Sequence, residues 1–445
     1  MHDQRRPIVI DLFSGAGGMS LGFEQAGFDV AAAVEIDPVH AATHHFNFPD
    51  CAVIPRSVTD LSGAEIRKLA GIGAGKVDLV CGGAPCQGFS LIGRRALDDP
   101  RNALVKHFLR LVRELDANAF VFENVKGLTL GKHRQILDEL VQAFGRIGYD
   151  LVAPVQVLNA ANFGVPQNRE RLFVMGVKRG LPLPTYPDPT TRRPGRSEYP
   201  LLPMTPNCAD ALSDVPDAEG FSDLLCTDEV RVKPGKPTSR YAREMRCLSK
   251  VDWHYGHPRA WNPALLTSSL RTDHTDISRR RFAETPCGTV EPVSRFYRLA
   301  PASISNTLRA GTDASRGAFT SPRPIHYASP RCITVREMAR LHGFPDWFRF
   351  HETKWHGARQ IGNAVPPPLA RAVASAMLAA LGYVAAPVAK AIALGNVNLL
   401  RMDLTQASRF WGVANPIGRR DQKSGDRKRR QADIELDRLS ALVAE

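Results

Sequence analysis

Within the first 180 residues, short apolar runs alternate with segments of helix-like apolar spacing, and this rhythm restricts the fold more than any other feature. Ile8–Phe13, Val30–Val34, Val77–Cys81, Ala119–Phe122 and Leu172–Val177 have the length and apolar continuity of buried strands. Parallel neighbours need a crossover and a helix supplies it, so the pattern predicts an α/β fold with a doubly wound, mostly parallel sheet. The character then changes. Leu181–Tyr199 is dominated by Pro, Thr and Arg, and periodicity stays weak until Ile333, which predicts a smaller, loop-rich domain. Thr334 and Glu337 then stand at capping-box spacing before Met338 and Leu341, with Gly343 and Pro345 ending the helix. After Pro366–Pro368, the residues Leu369, Val373, Met377 and Leu381 share one helical face that stops at Gly382. The expected divisions are 1–184, 185–330, 331–385, whose last helix returns to the first unit, and a basic extension over 386–445.

Charge narrows the partners. The 445 residues carry 58 Lys and Arg against 45 Asp and Glu, a net +13 that points to a polyanion. The surplus is local: Arg231–Arg281 holds twelve basic and four acidic residues, and Arg419–Arg430 holds seven and two. The remainder is balanced. With 43% hydrophobic residues, wholesale disorder is excluded, and no apolar stretch reaches the ~18 residues of a membrane span. The eight cysteines form no CxxC pair and no secretory leader precedes the first strand, so reduced cysteines in a cytoplasmic protein are expected. His254 and His257 lack partners at zinc-site spacing, so no metal site is expected.

Three motifs carry chemistry. Asp11-Leu12-Phe13-Ser14-Gly15-Ala16-Gly17-Gly18 is a strand running into a glycine turn that opens a helix, and Glu35 follows twenty residues after Gly15, the spacing of a ribose-binding acid. The glycines fall short of the full GxGxxG pattern. Gly82-Gly83-Ala84-Pro85-Cys86-Gln87-Gly88-Phe89-Ser90 follows a buried strand and places Cys86 where such sheets bind ligands, a position suited to a thiolate nucleophile; Cys81, inside the strand, reads as core. Phe122-Glu123-Asn124-Val125 puts a carboxylate at the same edge, able to exchange a proton with a ring nitrogen.

These segments, together with Gln167-Asn168-Arg169-Glu170-Arg171, Arg336–Pro345 and Gly362-Asn363-Ala364-Val365-Pro366, occur in the order found in DNA (cytosine-5) methyltransferases. The chain resembles that family, in its bacterial restriction-modification type, over roughly 1–180 and 330–382. The resemblance implies a Rossmann-like methyltransferase domain over 1–184 that uses S-adenosylmethionine, and a target-recognition domain over 185–330. It assigns Cys86 to attack C6 of a flipped-out cytosine, Glu123 to hydrogen-bond and protonate N3, Arg171 to hold O2, and Arg169 to support that pocket. Ala84, Gln87, Ser90 and Thr307 fall at substrate-contacting positions, with 87–101 as a lid. Phe13, Gly15, Gly17, Glu35, Leu104, Asn363 and Val365 match cofactor positions. Ser57 stands where the family commonly has an aspartate facing the adenine amine. Implied partners are double-stranded DNA and a cognate restriction endonuclease acting separately, with the protein a monomer, cytoplasmic and held at the nucleoid through DNA. Methylation of tRNA by the same constellation, or a DNA binder with decayed catalysis, are the alternatives. Tyr241, Trp253, Tyr255 and Trp261 interleave the internal basic stretch as candidate nucleic-acid contacts.

Overall fold

The computed structural model describes residues 5–84, 103–131, 134–196, 198–233, 235–312 and 321–415. Eight strands form one sheet: β1 (Ile8–Leu12), β2 (Asp29–Val34), β3 (Ala52–Ile54), β4 (Leu79–Gly82), β5 (Ala119–Val125), β6 (Tyr149–Leu151), β7 (Gln156–Asn159) and β8 (Glu170–Lys178). Their order is β3-β2-β1-β4-β5-β8-β6, with β7 also pairing β8. The first five are parallel; β8 runs antiparallel to β5, and β6 and β7 antiparallel to β8. The order reverses between β1 and β4. A crevice opens at such a reversal, outside the carboxyl ends of the strands.

All five strands expected from the apolar runs are present. Strands β3, β6 and β7 are additional, because three or four residues at the sheet's flanks carry too little apolar signal to be read from sequence. The helices α1 (Gly18–Ala26), α2 (Pro38–Asn47), α3 (Gly63–Leu69), α4 (Ala103–Glu114) and α5 (Arg134–Arg146) make the crossovers. Ile66, Val105, Phe108, Leu111, Ile136 and Phe144 fill one face of the sheet with Ile10, Val80 and Phe120. Met19 and Phe23 of α1 fill the other with Cys81 and Val121.

Further along lie α6 (Cys208–Leu212), α7 (Arg240–Arg246), α8 (Asp276–Glu284), α9 (Val335–His342), α10 (Lys354–Asn363), α11 (Pro367–Ala380) and α12 (Leu404–Trp411). Thr334 and Glu337 close the expected capping box, and Gly343 ends α9 at φ 86°. Leu369, Val373 and Met377 are wholly buried on the face of α1, each contributing about 1.5–3 kcal/mol of apolar burial. The close approach of α11 to α1 requires Gly22: a Cβ there would lie 2.4 Å from the Ala370 Cβ.

A third core joins the interval 205–361 to the sheet domain. Leu21, Ala33 and Phe48 pack with Cys208, Tyr241, Leu299, Met338 and Trp347. This corrects the surface reading of the internal aromatic and basic stretch. Tyr241 is buried and its hydroxyl donates to the Arg340 carbonyl; Trp253 stacks on Trp347 at 5.7 Å; Trp261 packs against the same core. Only Tyr255 of the four is well exposed, at 40%. Arg246 pairs with Asp214, Arg259 with Glu24, Arg271 and Arg279 with Glu219. A count along the chain cannot see acids contributed from elsewhere, so it overstates the charge offered to a polyanion.

Candidate active site

The glycine turn is built as its spacing predicts. Phe13 is left-handed at φ 62°, a conformation that costs a non-glycine residue about 1–2 kcal/mol and that recurs at functional sites. Gly15, at φ +56°, has open space where a Cβ would project. Gly17, at φ +103°, has the Phe48 ring 2.6 Å from its ideal Cβ position, so no side chain fits. Beneath the turn the Ser20 hydroxyl donates to Asp11 at 2.6 Å and lies 3.0 Å from His44 Nε2. Burial pushes the Asp11 carboxyl up to about 7, opposed by the Ser20 bond, and pushes His44 down to about 3.

Glu35 faces this turn. Its Oε2 accepts from Gly15 N and its Oε1 from Asp37 N, both at 2.8 Å. Burial raises its pKa, and those two bonds work against the rise. The late motif reaches the same place: a Cβ on Gly18 would sit 2.6 Å from the Val365 carbonyl oxygen, while Asn363 is exposed beside it. Ile36 is a residue that sequence reasoning missed. It stands 60% exposed directly after Glu35 and two residues past the end of β2, an apolar surface beside the candidate ribose acid. Open space at Gly15, the carboxylate of Glu35 and the apolar Ile36 fit the three parts of S-adenosylmethionine: methionine, ribose and adenine.

Leu104, in the first turn of α4, packs against the same core as Phe13 of the glycine turn. Ser57 begins a short 3-10 turn, Val58–Asp60, where its hydroxyl accepts from Thr59 N at 3.2 Å and lies 2.7 Å from Thr59 Oγ1. Its side chain is already engaged in shaping that turn.

At the neighbouring strand ends, Glu123 and Arg171 meet. In the β5–β8 register Glu123 is opposite Phe173 and Val125 opposite Arg171, so the two side chains are diagonal neighbours on one face. Arg171 Nε lies 2.9 Å from Glu123 Oε1. Burial raises the Glu123 pKa against the pull of Arg171 and Arg169. A Cβ on Gly83 would stand 2.5 Å from Glu123 Oε2, so any side chain there would displace this carboxylate. Asn124 donates from Nδ2 to the buried Ala84 carbonyl at 3.0 Å, fixing the residue from which the chain runs into Pro85 and Cys86. One lone pair of this oxygen, at a position expected to contact substrate, is therefore occupied. Cys86, Gln87 and Ser90 lie outside the described residues. Cys81 is buried in β4 with its thiol pushed well above the ordinary range by burial, the state of a core cysteine.

Arg169 stands behind this pair rather than beside it. It is 1% exposed, and its guanidinium donates to the carbonyls of Leu308, Gly362 and Ala364 at 3.1, 2.7 and 2.9 Å. Three backbone acceptors from two distant segments make it a bolt behind the pocket. Gln167 and His342 complete that bolt, and the sequence alone assigns neither a role. Gln167 Oε1 accepts from Leu308 N, and its Nε2 lies 2.9 Å from His342 Nδ1. His342 Nε2 lies 3.0 Å from the Ala364 carbonyl, which can only accept, so the proton sits on Nε2 and Nδ1 accepts from Gln167. Burial keeps this imidazole neutral. The bolt presents Thr307, whose exposed side chain donates to the Asn168 carbonyl at 2.6 Å.

A C-5 cytosine-specific DNA methylase family model matches residues 8–379. The chain belongs to that family. It transfers a methyl group to C5 of cytosine, and S-adenosylmethionine is the donor general to such enzymes. Type II methyltransferase M.XorII of Xanthomonas oryzae pv. oryzae is 55% identical over 97% of this chain and 99% of its own. Type II methyltransferase M1.HphI of Haemophilus parahaemolyticus is 34% identical over 83% and 86%. Among solved structures, an E. coli prophage-encoded protein described as a DNA modification methyltransferase superposes with TM-score 0.67 at 33% identity, covering 84% of this chain and 99% of that one. The fold alone is shared with the S. pombe Dnmt2 methyltransferase, at TM-score 0.50 and 17% identity over 84% and 99%. Among the described residues, no helix is long and apolar enough to cross a membrane.

Proposed function

We propose that this cytosine-5 methyltransferase modifies a short site in duplex DNA through a covalent Cys86 adduct, as the modification partner of a separately acting restriction endonuclease. The buried Glu123–Arg171 pair, one strand from the chain's entry into Pro85-Cys86, carries this reading. Cytosine C6 is hidden in a stacked duplex, so the base must be extruded before a side chain can reach it. The Cys86 thiolate then adds to C6. Electron density moves to N3, where Glu123 supplies a proton, while Arg171 holds O2; C5 thereby becomes nucleophilic. S-adenosylmethionine, when bound, supplies the methyl group that C5 takes up. Loss of the C5 proton to a base then expels the thiolate, N3 returns its proton to the Glu123 carboxylate, and the ring is restored. Arg169, with Gln167 and His342, acts behind this site by holding Thr307-Leu308 and the 362–365 turn in register.

On the cofactor side, Phe13, Gly15, Gly17, Glu35, Ile36, Leu104, Asn363 and Val365 enclose the donor. The protein works as a cytoplasmic monomer held at the nucleoid through DNA. The M.XorII relationship, which spans the recognition interval as well as the motifs, favours DNA over tRNA. Bisulfite sequencing of plasmid DNA from an expressing host tests the assignment: protected cytosines should fall within one short repeated sequence. Protection at no cytosine, with host tRNA newly methylated, would overturn it.

Two smaller effects follow. Ser57→Ala should weaken cofactor binding by about 0.5–1.5 kcal/mol if the hydroxyl also faces the adenine amine, with turnover at saturation unchanged. Unchanged affinity by calorimetry leaves Ser57 as the cap of its turn. The basic run Arg419–Arg430 lies outside the described residues, and we assign it to phosphate binding. Its deletion should weaken DNA binding equally for all sequences and flatten the log-log salt slope by about 0.9 for each phosphate left unneutralised. An unchanged slope removes it from the interface.

A further inference from the structure

Residues 392–411 lie beyond the stretch matched by the family model, yet they are packed onto α2. Leu399 and Leu400 bury against Ala42 and Phe46 of α2, and Gly395 N donates to the Phe46 carbonyl at 2.8 Å. The two-residue strand Ile392–Ala393 pairs with Arg259–Ala260 of the recognition interval. The Met402 carbonyl lies 3.0 Å from His351 Nε2, and Glu352 N donates to the Leu400 carbonyl. At the far end of α12, Trp411 donates from Nε1 to the Pro38 carbonyl at 3.1 Å and sets its ring edge-on to His45 at 5.7 Å.

Pro38 is the first residue of α2. Asp37 caps that helix through Val39 N and His40 N, and Asp37 N in turn holds Glu35 Oε1. Trp411 thus grips the short turn that orients the candidate ribose acid, three residues along the chain. We infer that residues 392–411 form a strap whose Trp411 is a positioning residue for the ribose end of the S-adenosylmethionine site, acting through Pro38 and Asp37 on Glu35. The inference rests on the cofactor reading above. A side chain held by a capped helix start pre-orients the acid, so part of the ordering cost is met before the ligand arrives.

Calorimetry of S-adenosylmethionine binding, beside steady-state kinetics, tests the strap in the full chain. Trp411→Phe keeps an aromatic ring against His45 and removes the indole N–H. It should raise the cofactor dissociation constant and KM by about 3- to 10-fold, the yield of one neutral hydrogen bond, with kcat at saturation and KM for DNA unchanged. Trp411→Ala should raise them further, and Arg409→Gln, on the exposed side of the same helix, should leave them alone. Cofactor affinity unchanged in the folded Trp411→Phe protein overturns the inference, even if its melting temperature falls. Failure of the wild-type protein to bind S-adenosylmethionine at all would instead overturn the cofactor reading.

Discussion

Duplex DNA carrying 5-fluorocytosine at the target should become covalently attached to the protein and stay attached through denaturing electrophoresis. After Cys86 adds to C6 and C5 accepts the methyl group, release requires a proton to leave C5. Fluorine cannot leave as a proton, so elimination stops and the carbon–sulfur bond persists. The adduct should require S-adenosylmethionine and disappear in Cys86→Ala, with methyl transfer falling to background. It should survive in Cys81→Ala, because that thiol is sealed inside β4 and held protonated by burial. Fluorinated tRNA offered in parallel separates the substrates. Trapping on tRNA alone would reverse the DNA assignment; a Cys86→Ala protein that still traps would move the nucleophile elsewhere.

Glu123→Gln is expected to lower kcat by about 10²–10⁴, the range for losing a general acid, while cofactor affinity stays at the wild-type level. The amide still fits beside Gly83 and Arg171 and can still donate a hydrogen bond to N3, but it has no proton to transfer. The pH profile adds a second signature. Burial raises the Glu123 pKa, so its neutral, proton-bearing form persists to higher pH than an ordinary glutamate allows, and activity declines as pH rises through that raised value. Glu123→Gln should lack this alkaline decline. A kcat within a few-fold of wild type would remove Glu123 from proton transfer and leave it as the partner of Arg171.

The sheet was legible in the chain because its parallel strands are buried on both faces, and burial on both faces writes continuous apolar runs. Both terminating signals of α9 and the stripe on α11 were legible for a similar reason: capping and one-sided packing are local demands on residue type. The flanking strands β3, β6 and β7 were not, since short strands borrow their stability from neighbours rather than from their own apolar content.

For the site, motif order alone determined the chemistry: a cysteine after one strand, a glutamate at the end of the next, and two arginines at the start of a third. The family resemblance divides those arginines by role, and tertiary structure supplies the contacts that divide them physically, turning Arg171 toward Glu123 and burying Arg169 among the carbonyls of Leu308, Gly362 and Ala364. A spacing of two does not distinguish them, and which side chain meets a carboxylate depends on chain segments more than a hundred residues away. The same limit applied to charge. Twelve basic residues over Arg231–Arg281 read as an interface, but the acids that neutralise Arg246, Arg259, Arg271 and Arg279 sit at Asp214, Glu24 and Glu219, and only folding brings them together. Local sequence determined residue chemistry and periodicity; long-range packing decided which charges pair, which aromatics are core, and that the chain beyond 385 returns to brace α2.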